Sequence, residues 1–90
     1  MKDYLTIIND NGEKKEFEIL LSFDSDETNK RYVTYTDFTK DKDGSIICYS
    51  SILNPDGSLS KIDTEKEKTT IDELLKTLVE TTNMRYLNKE

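Results

Sequence analysis

Histidine is absent from the chain's 90 residues, as are tryptophan, alanine and glutamine, and cysteine and proline each occur once. Without histidine, the commonest general base near neutral pH and the commonest transition-metal ligand are gone, so Ser-His-Asp, Cys-His and Cys₂His₂ designs cannot be written. The single Cys48 excludes an internal disulfide, a CxxC redox pair and a Cys₄ zinc site. Its place between Ile47 and Tyr49 reads as a buried strand position and not as a nucleophile. The three glycines stand apart at positions 12, 44 and 57, so neither a Walker loop nor a dinucleotide fingerprint is present. No cofactor is expected.

Long hydrophobic runs are also missing. Stretches such as Ile19-Leu20-Leu21 fall far short of the roughly 20 apolar residues that span a bilayer. The opening Met1-Lys2-Asp3-Tyr4 carries an acid where a signal peptide would be basic, and no apolar segment follows. With one cysteine as well, a cytoplasmic location and no membrane partner are expected. Bases are the scarcer charge: 13 Lys and Arg stand against 19 Asp and Glu, a net charge of -6. That balance disfavours direct nucleic-acid binding, which needs cations to replace counterions along the phosphates. The acids are spread along the chain and form no tail.

What is present suffices for one small domain over 1–90. Hydrophobic residues make up 33% of the chain, and Leu, Ile, Val and Phe together exceed the roughly 20% below which chains tend to stay disordered. Each glycine follows Asn or Asp (Asn11-Gly12, Asp43-Gly44, Asp56-Gly57), a pairing that marks tight turns between strands. The segments between them read as strands at about 3–9, 15–24, 31–39, 45–53 and 58–63. In the second, Phe17, Ile19, Leu21 and Phe23 alternate with mostly polar residues, which predicts one half-buried face. Leu20 breaks the alternation and marks a second apolar surface. Pairing apolar with apolar across the first turn predicts a three-residue loop with Leu5 opposite Phe17.

The period then changes from two to 3.6. Ile71, Leu74, Leu75, Leu78 and Val79 fall on one helical stripe, Thr70 and Glu73 have capping-box spacing, and Asn83 is a natural stop. The tail over 84–90 is consistent with either a frayed end or a packed extension. An α+β fold follows, with an antiparallel β-meander of about five strands and one C-terminal amphipathic helix on one face.

The runs Glu16-Phe17-Glu18-Ile19-Leu20-Leu21-Ser22-Phe23 and Lys30-Arg31-Tyr32-Val33-Thr34-Tyr35-Thr36-Asp37 resemble the YrzB-like family of small acidic bacterial proteins, a domain of unknown function. The resemblance spans about residues 3–80 and implies the same strand-rich fold with an acidic C-terminal helix, a bacterial source and a cytoplasmic setting. It brings no catalytic residues. Lys14-Lys15 beside the first turn and the Thr-rich helix end depart from the family pattern.

Asp41-x-Asp43-Gly44 resembles a fragment of a calcium loop, but Thr39 and Ser50 would fall where Asp and Glu are required, so the reading is a turn and no metal is expected. Tyr32 and Tyr35 have opposite parity on their strand, so at least one tyrosine of Tyr32, Tyr35 and Tyr49 should lie away from the helix. With Leu20, these tyrosines form the candidate interface. The expected function is non-enzymatic binding of an unidentified protein partner, or self-association, through a free sheet face or edge. The alternatives are an acidic mimic of nucleic acid and, from the enzyme class, a carboxylate- or Lys-based catalyst.

Overall fold

A computed structural model describes residues 3–89; Met1, Lys2 and Glu90, the ends of the domain expected over 1–90, lie outside the described residues. Strands β1 (Tyr4–Ile8), β2 (Lys14–Ser25), β3 (Lys30–Lys40), β4 (Ile46–Leu53) and β5 (Leu59–Ser60) precede helix α1 (Glu65–Thr82) and strand β6 (Tyr86–Lys89). The first five run β1-β2-β3-β4-β5, each antiparallel to its neighbour, as the meander reading expects.

Three of the reversals share one design. In the loops beginning at Asn9, Asp41 and Asn54, the first residue's N–H donates to the carbonyl four residues on, and the glycine three residues on donates back to its carbonyl. Asn9 Oδ1 also accepts from the N–H groups of Asn11 and Glu13, and Asp41 Oδ1 from those of Asp43 and Ser45. The glycine takes the left-handed conformation that closes the loop, φ 79° at Gly12. The first loop therefore spans three residues and sets Leu5 opposite Phe17, as expected.

Two irregularities interrupt the ladders, and the first redirects side chains. In β2, Ile19 pairs with Tyr35 and Leu21 with Thr34, so Leu20 is an extra residue without a cross-strand partner. The insertion reverses facing. Phe17 and Ile19 join the cluster of Val33 and Tyr35, while Phe23 joins the one that contains Tyr32, Ile52, Ile62 and Ile71. The expected single face of Phe17, Ile19, Leu21 and Phe23 is thus divided between the two sides of the sheet. A second irregularity interrupts β3 between Thr36 and Lys40, where Phe38 has φ 66° and is 42% exposed.

The helix begins earlier than its apolar stripe. Thr64 is the N-cap: its hydroxyl accepts from the Glu67 N–H and donates to Glu67 Oε1 at 2.7 Å. Thr70, expected to cap the helix, instead lies inside it and donates to the Lys66 carbonyl. Asn83 ends it in the left-handed conformation, φ 58°. The fifth strand, expected over 58–63, is reduced to Leu59–Ser60, and Ile62 beyond it is wholly buried against Ile71.

The tail is an ordered strand. β6 pairs in parallel with the first half of β4, from Ile46↔Tyr86 to Tyr49↔Lys89, while β5 pairs with the last residues of the same edge. The helix supplies the long connection that a parallel pairing requires. On the helix side the sheet centre is lined by small groups: Thr34, Thr36, Cys48 and Ser50 are buried, and Thr34, Ser50 and Asn88 form a hydrogen-bonded chain.

Candidate functional site

The four residues singled out by sequence do not gather in one place. Tyr32 lies beneath the helix, 4% exposed, stacked on Phe23 and hydrogen-bonded to Glu67 and Thr28. That removes it from any surface. Tyr35 and Tyr49 lie on the opposite face, directly across β3 and β4, with stacked rings 5.9 Å apart. Phe17 meets both edge-on, and Lys15 extends over the Phe17 ring. Beneath them Val33 is 1% exposed although no helix covers this side. Phe17 and Tyr35, with Leu5, Ile7, Ile19, Leu53 and Leu59 packed against the cluster, exclude water there. Leu20, at the bulge, is only half-buried.

The edge strand β1 was not singled out, although its composition carried the signal. Its five residues, Tyr-Leu-Thr-Ile-Ile, include no charge, proline or glycine. Edge strands usually carry one of these, or a bulge, to prevent pairing with other chains. Among the described residues β1 pairs only with β2 and ends the sheet. The Asn9 N–H bonds to the Glu13 carbonyl and the Ile19 N–H to the Asp3 carbonyl, so the odd-numbered residues 3 to 9 direct their backbone groups inward to β2. Tyr4, Thr6 and Ile8 therefore direct theirs outward. Their side chains are also uncovered, Tyr4 by 57% and Ile8 by 61%.

The best-formed polar cluster lies elsewhere, in a cavity of about 390 Å³ between the helix start and the β2–β3 turn, lined by Phe23, Thr28, Lys30, Tyr32, Glu67 and Ile71 among others. Glu67, 9% exposed, accepts hydrogen bonds from Tyr32 and Thr64 and lies 3.6 Å from the Lys30 ammonium. The Tyr32 hydrogen bond, then those of Thr64 and the charge of Lys30, hold its carboxyl below the usual range. Burial and the same bond push the Tyr32 hydroxyl up. A carboxylate held ionised by donors is a poor proton donor and a weak base at neutral pH. The cluster fastens the helix to the sheet. Cys48, fully buried, has its thiol pushed up to about 11 by burial, which withholds the nucleophilic thiolate.

Among the described residues no three His, Cys, Asp or Glu side chains gather as a metal site, and no helix is long and apolar enough to cross a membrane. Asp41 is engaged in its turn, and Asp37 pairs with Lys15 at 2.5 Å, which brings its carboxyl down to about 2.

Fold and surface together define a small α+β domain with a curled sheet, one side sealed by a helix and one edge left open. The chain belongs to the family described as "Protein of unknown function (DUF1292)", whose model matches residues 10–80. A UPF0473 protein of Bacillus pumilus is 35% identical over 81 residues, covering 84% of this chain and 85% of its own. One from Listeria welshimeri is 34% identical over 83 residues, covering 87% and 83%, and one from Leuconostoc mesenteroides is 30% identical over 83 residues, covering 84% of each. The match establishes the family under these descriptions and not under the YrzB-like label. No solved structure matches the chain.

Proposed function

We propose that this protein is a non-enzymatic binding or accessory domain of the cytoplasm that engages a protein through the free edge of β1. The observation that supports this reading is the edge itself: outward backbone groups at Tyr4, Thr6 and Ile8, exposed apolar side chains and no charge within the strand. Strand addition to such an edge takes its affinity from main-chain hydrogen bonds and its specificity from alternate side chains. Tyr35, 6% exposed, is nearly as buried as Tyr32 and adds no surface, while Tyr49 beside it is partly exposed.

Catalysis has less support, since Glu67, the one buried carboxylate among the described residues, is committed to the helix cap and the one thiol is inaccessible. The acidic-mimic reading needs the acids gathered on one surface, and no specific observation favours it: Asp24, Glu27, Asp37 and Glu67 are each paired with a base. YrzB-like remains our name for the finer relationship within the family.

Affinity capture from the source cell with the wild-type chain and with Ile8→Glu tests the proposal. A partner retained by the wild type and lost by the variant is expected. Recovery of the same proteins by both chains contradicts it, as does recovery of none by a chain that is monomeric in light scattering.

A further inference from the structure

We infer that the partner at the β1 edge is a second copy of this chain, paired antiparallel through a twofold axis at Thr6. The inference rests on the edge reading above and commits it to one occupant. What carries it is the self-complementarity of the strand. Among the described residues of this strand, Tyr4, Thr6 and Ile8 direct backbone groups outward, so pairing matches these residues with one another. Centring the axis on Thr6 sets Tyr4 against Ile8 of the second copy, Thr6 against Thr6, and Ile8 against Tyr4. It is the only antiparallel register that engages all of them on both chains.

The side chains agree with that register on both faces. On the exposed face it creates aromatic–β-branched pairs flanking a Thr–Thr pair, combinations that stabilise sheets. On the other face Leu5 meets Ile7 of the second copy, which continues the half-buried row that packs on Phe17 and Val33. Asp3 meets Asn9, so no like charges stand opposite one another within the strand. A one-residue slip would offer inward-facing backbone groups to outward-facing ones and form no ladder. An isologous pairing of this kind closes on itself and leaves the β5 and β6 side of each sheet unused.

Each copy carries a net charge of -6, so the copies repel at long range. Association is therefore expected to tighten as salt rises. A basic partner at the same edge would respond in the opposite sense.

Sedimentation of the full chain from micromolar to about 1 mM, at low and high salt, tests the pairing. The expected result is a monomer–dimer equilibrium that tightens with salt. Thr6→Lys, which faces Glu16 within its own chain and its like across the axis, is expected to weaken the dimer about tenfold while the monomer stays folded. An equimolar mixture of Thr6→Lys and Thr6→Glu is expected to restore dimers, a recovery that a merely structural role of Thr6 would not give. A wild type that stays monomeric throughout, or a dimer indifferent to Thr6→Lys, overturns the inference. Those outcomes leave the edge reading to its own test, because capture of a different protein that is lost on Ile8→Glu would still uphold it.

Discussion

The two long edges of the sheet receive opposite treatment. The outer edge of β4 is covered along its first half by β6 and at its last residues by β5, and the helix that links them is fastened by Ile62, Ile71 and the Tyr32–Glu67 bond. The outer edge of β1 has no strand beside it among the described residues and no charge within it. An 18-residue helix and a returning strand are devoted to closing one edge, while the other ends in Tyr4 and Ile8 with more than half of each exposed. Since bare edges invite pairing with other chains, this asymmetry is the ground for our proposal that a partner binds at β1.

Breaking the closed side should cost most. Ile71→Ala or Ile62→Ala, at positions 2% and 0% exposed, is expected to lower stability by about 2–5 kcal/mol, read as a lower urea midpoint. Next is Tyr32→Phe, expected to cost about 1–3 kcal/mol because it withdraws a donor from a buried carboxylate. This loss depends on pH. The folded-state pKa of Glu67 lies below its ordinary 4.5, so its contribution is full above that value and is lost as pH falls through the folded one. Acid denaturation of Tyr32→Phe should accordingly show a weaker loss over that window than the wild type. Asp37 behaves likewise, its contribution disappearing between its ordinary 3.8 and about 2, and Lys15→Met should reduce that portion of the acid limb, leaving the part held by the Thr39 hydrogen bond.

Ending the chain after Asn83 sharpens the comparison by making a second bare edge. It removes β6, including the bond from Ser50 Oγ to Asn88 and that from the Ile46 N–H to the Arg85 carbonyl. A loss of about 1–2 kcal/mol is expected, together with association that Thr6→Lys no longer suppresses. The smallest effect on stability belongs to Thr6→Lys itself, within about 0.5 kcal/mol of the wild type by thermal unfolding, because the position is exposed and faces Glu16.

Most of the antiparallel meander was legible in the sequence, and the reason lies in period and turn chemistry. Leu5 and Phe17 have matching parity across a turn that Gly12 permits, so their register followed directly. The Asn or Asp three residues before each glycine, at 9, 41 and 54, was an equally regular signal and fixes the loop length through its own side chain or backbone. The helix start was misplaced because Glu65 to Thr70 carries no apolar stripe and both Thr64–Glu67 and Thr70–Glu73 fit a capping box. Only the tertiary contact of Glu67 with Tyr32 distinguishes the two. The bulge at Leu20 was visible as a broken alternation, but which residues changed face depends on the partner strand. β6 is four residues of ordinary composition held by β4 after a helical crossover, and nothing local announces it.

The candidate surface was legible only in part. Tyrosine parity separated Tyr32 from Tyr35, but it could not say which lay under the helix, since that depends on where Ile71 and Leu75 dock. The uncharged run of β1 was in plain view, yet an edge strand is recognised only once the strand order is known.

Residue-resolved amide hydrogen exchange along β1, recorded from low to high protein concentration, tests the claim that this edge is the pairing surface most directly. The prediction is an alternating pattern: Leu5 and Ile7 protected at every concentration by their bonds to β2, and Tyr4, Thr6 and Ile8 unprotected in dilute solution and protected as concentration rises. Exchange at Tyr4, Thr6 and Ile8 that stays fast and independent of concentration would contradict it.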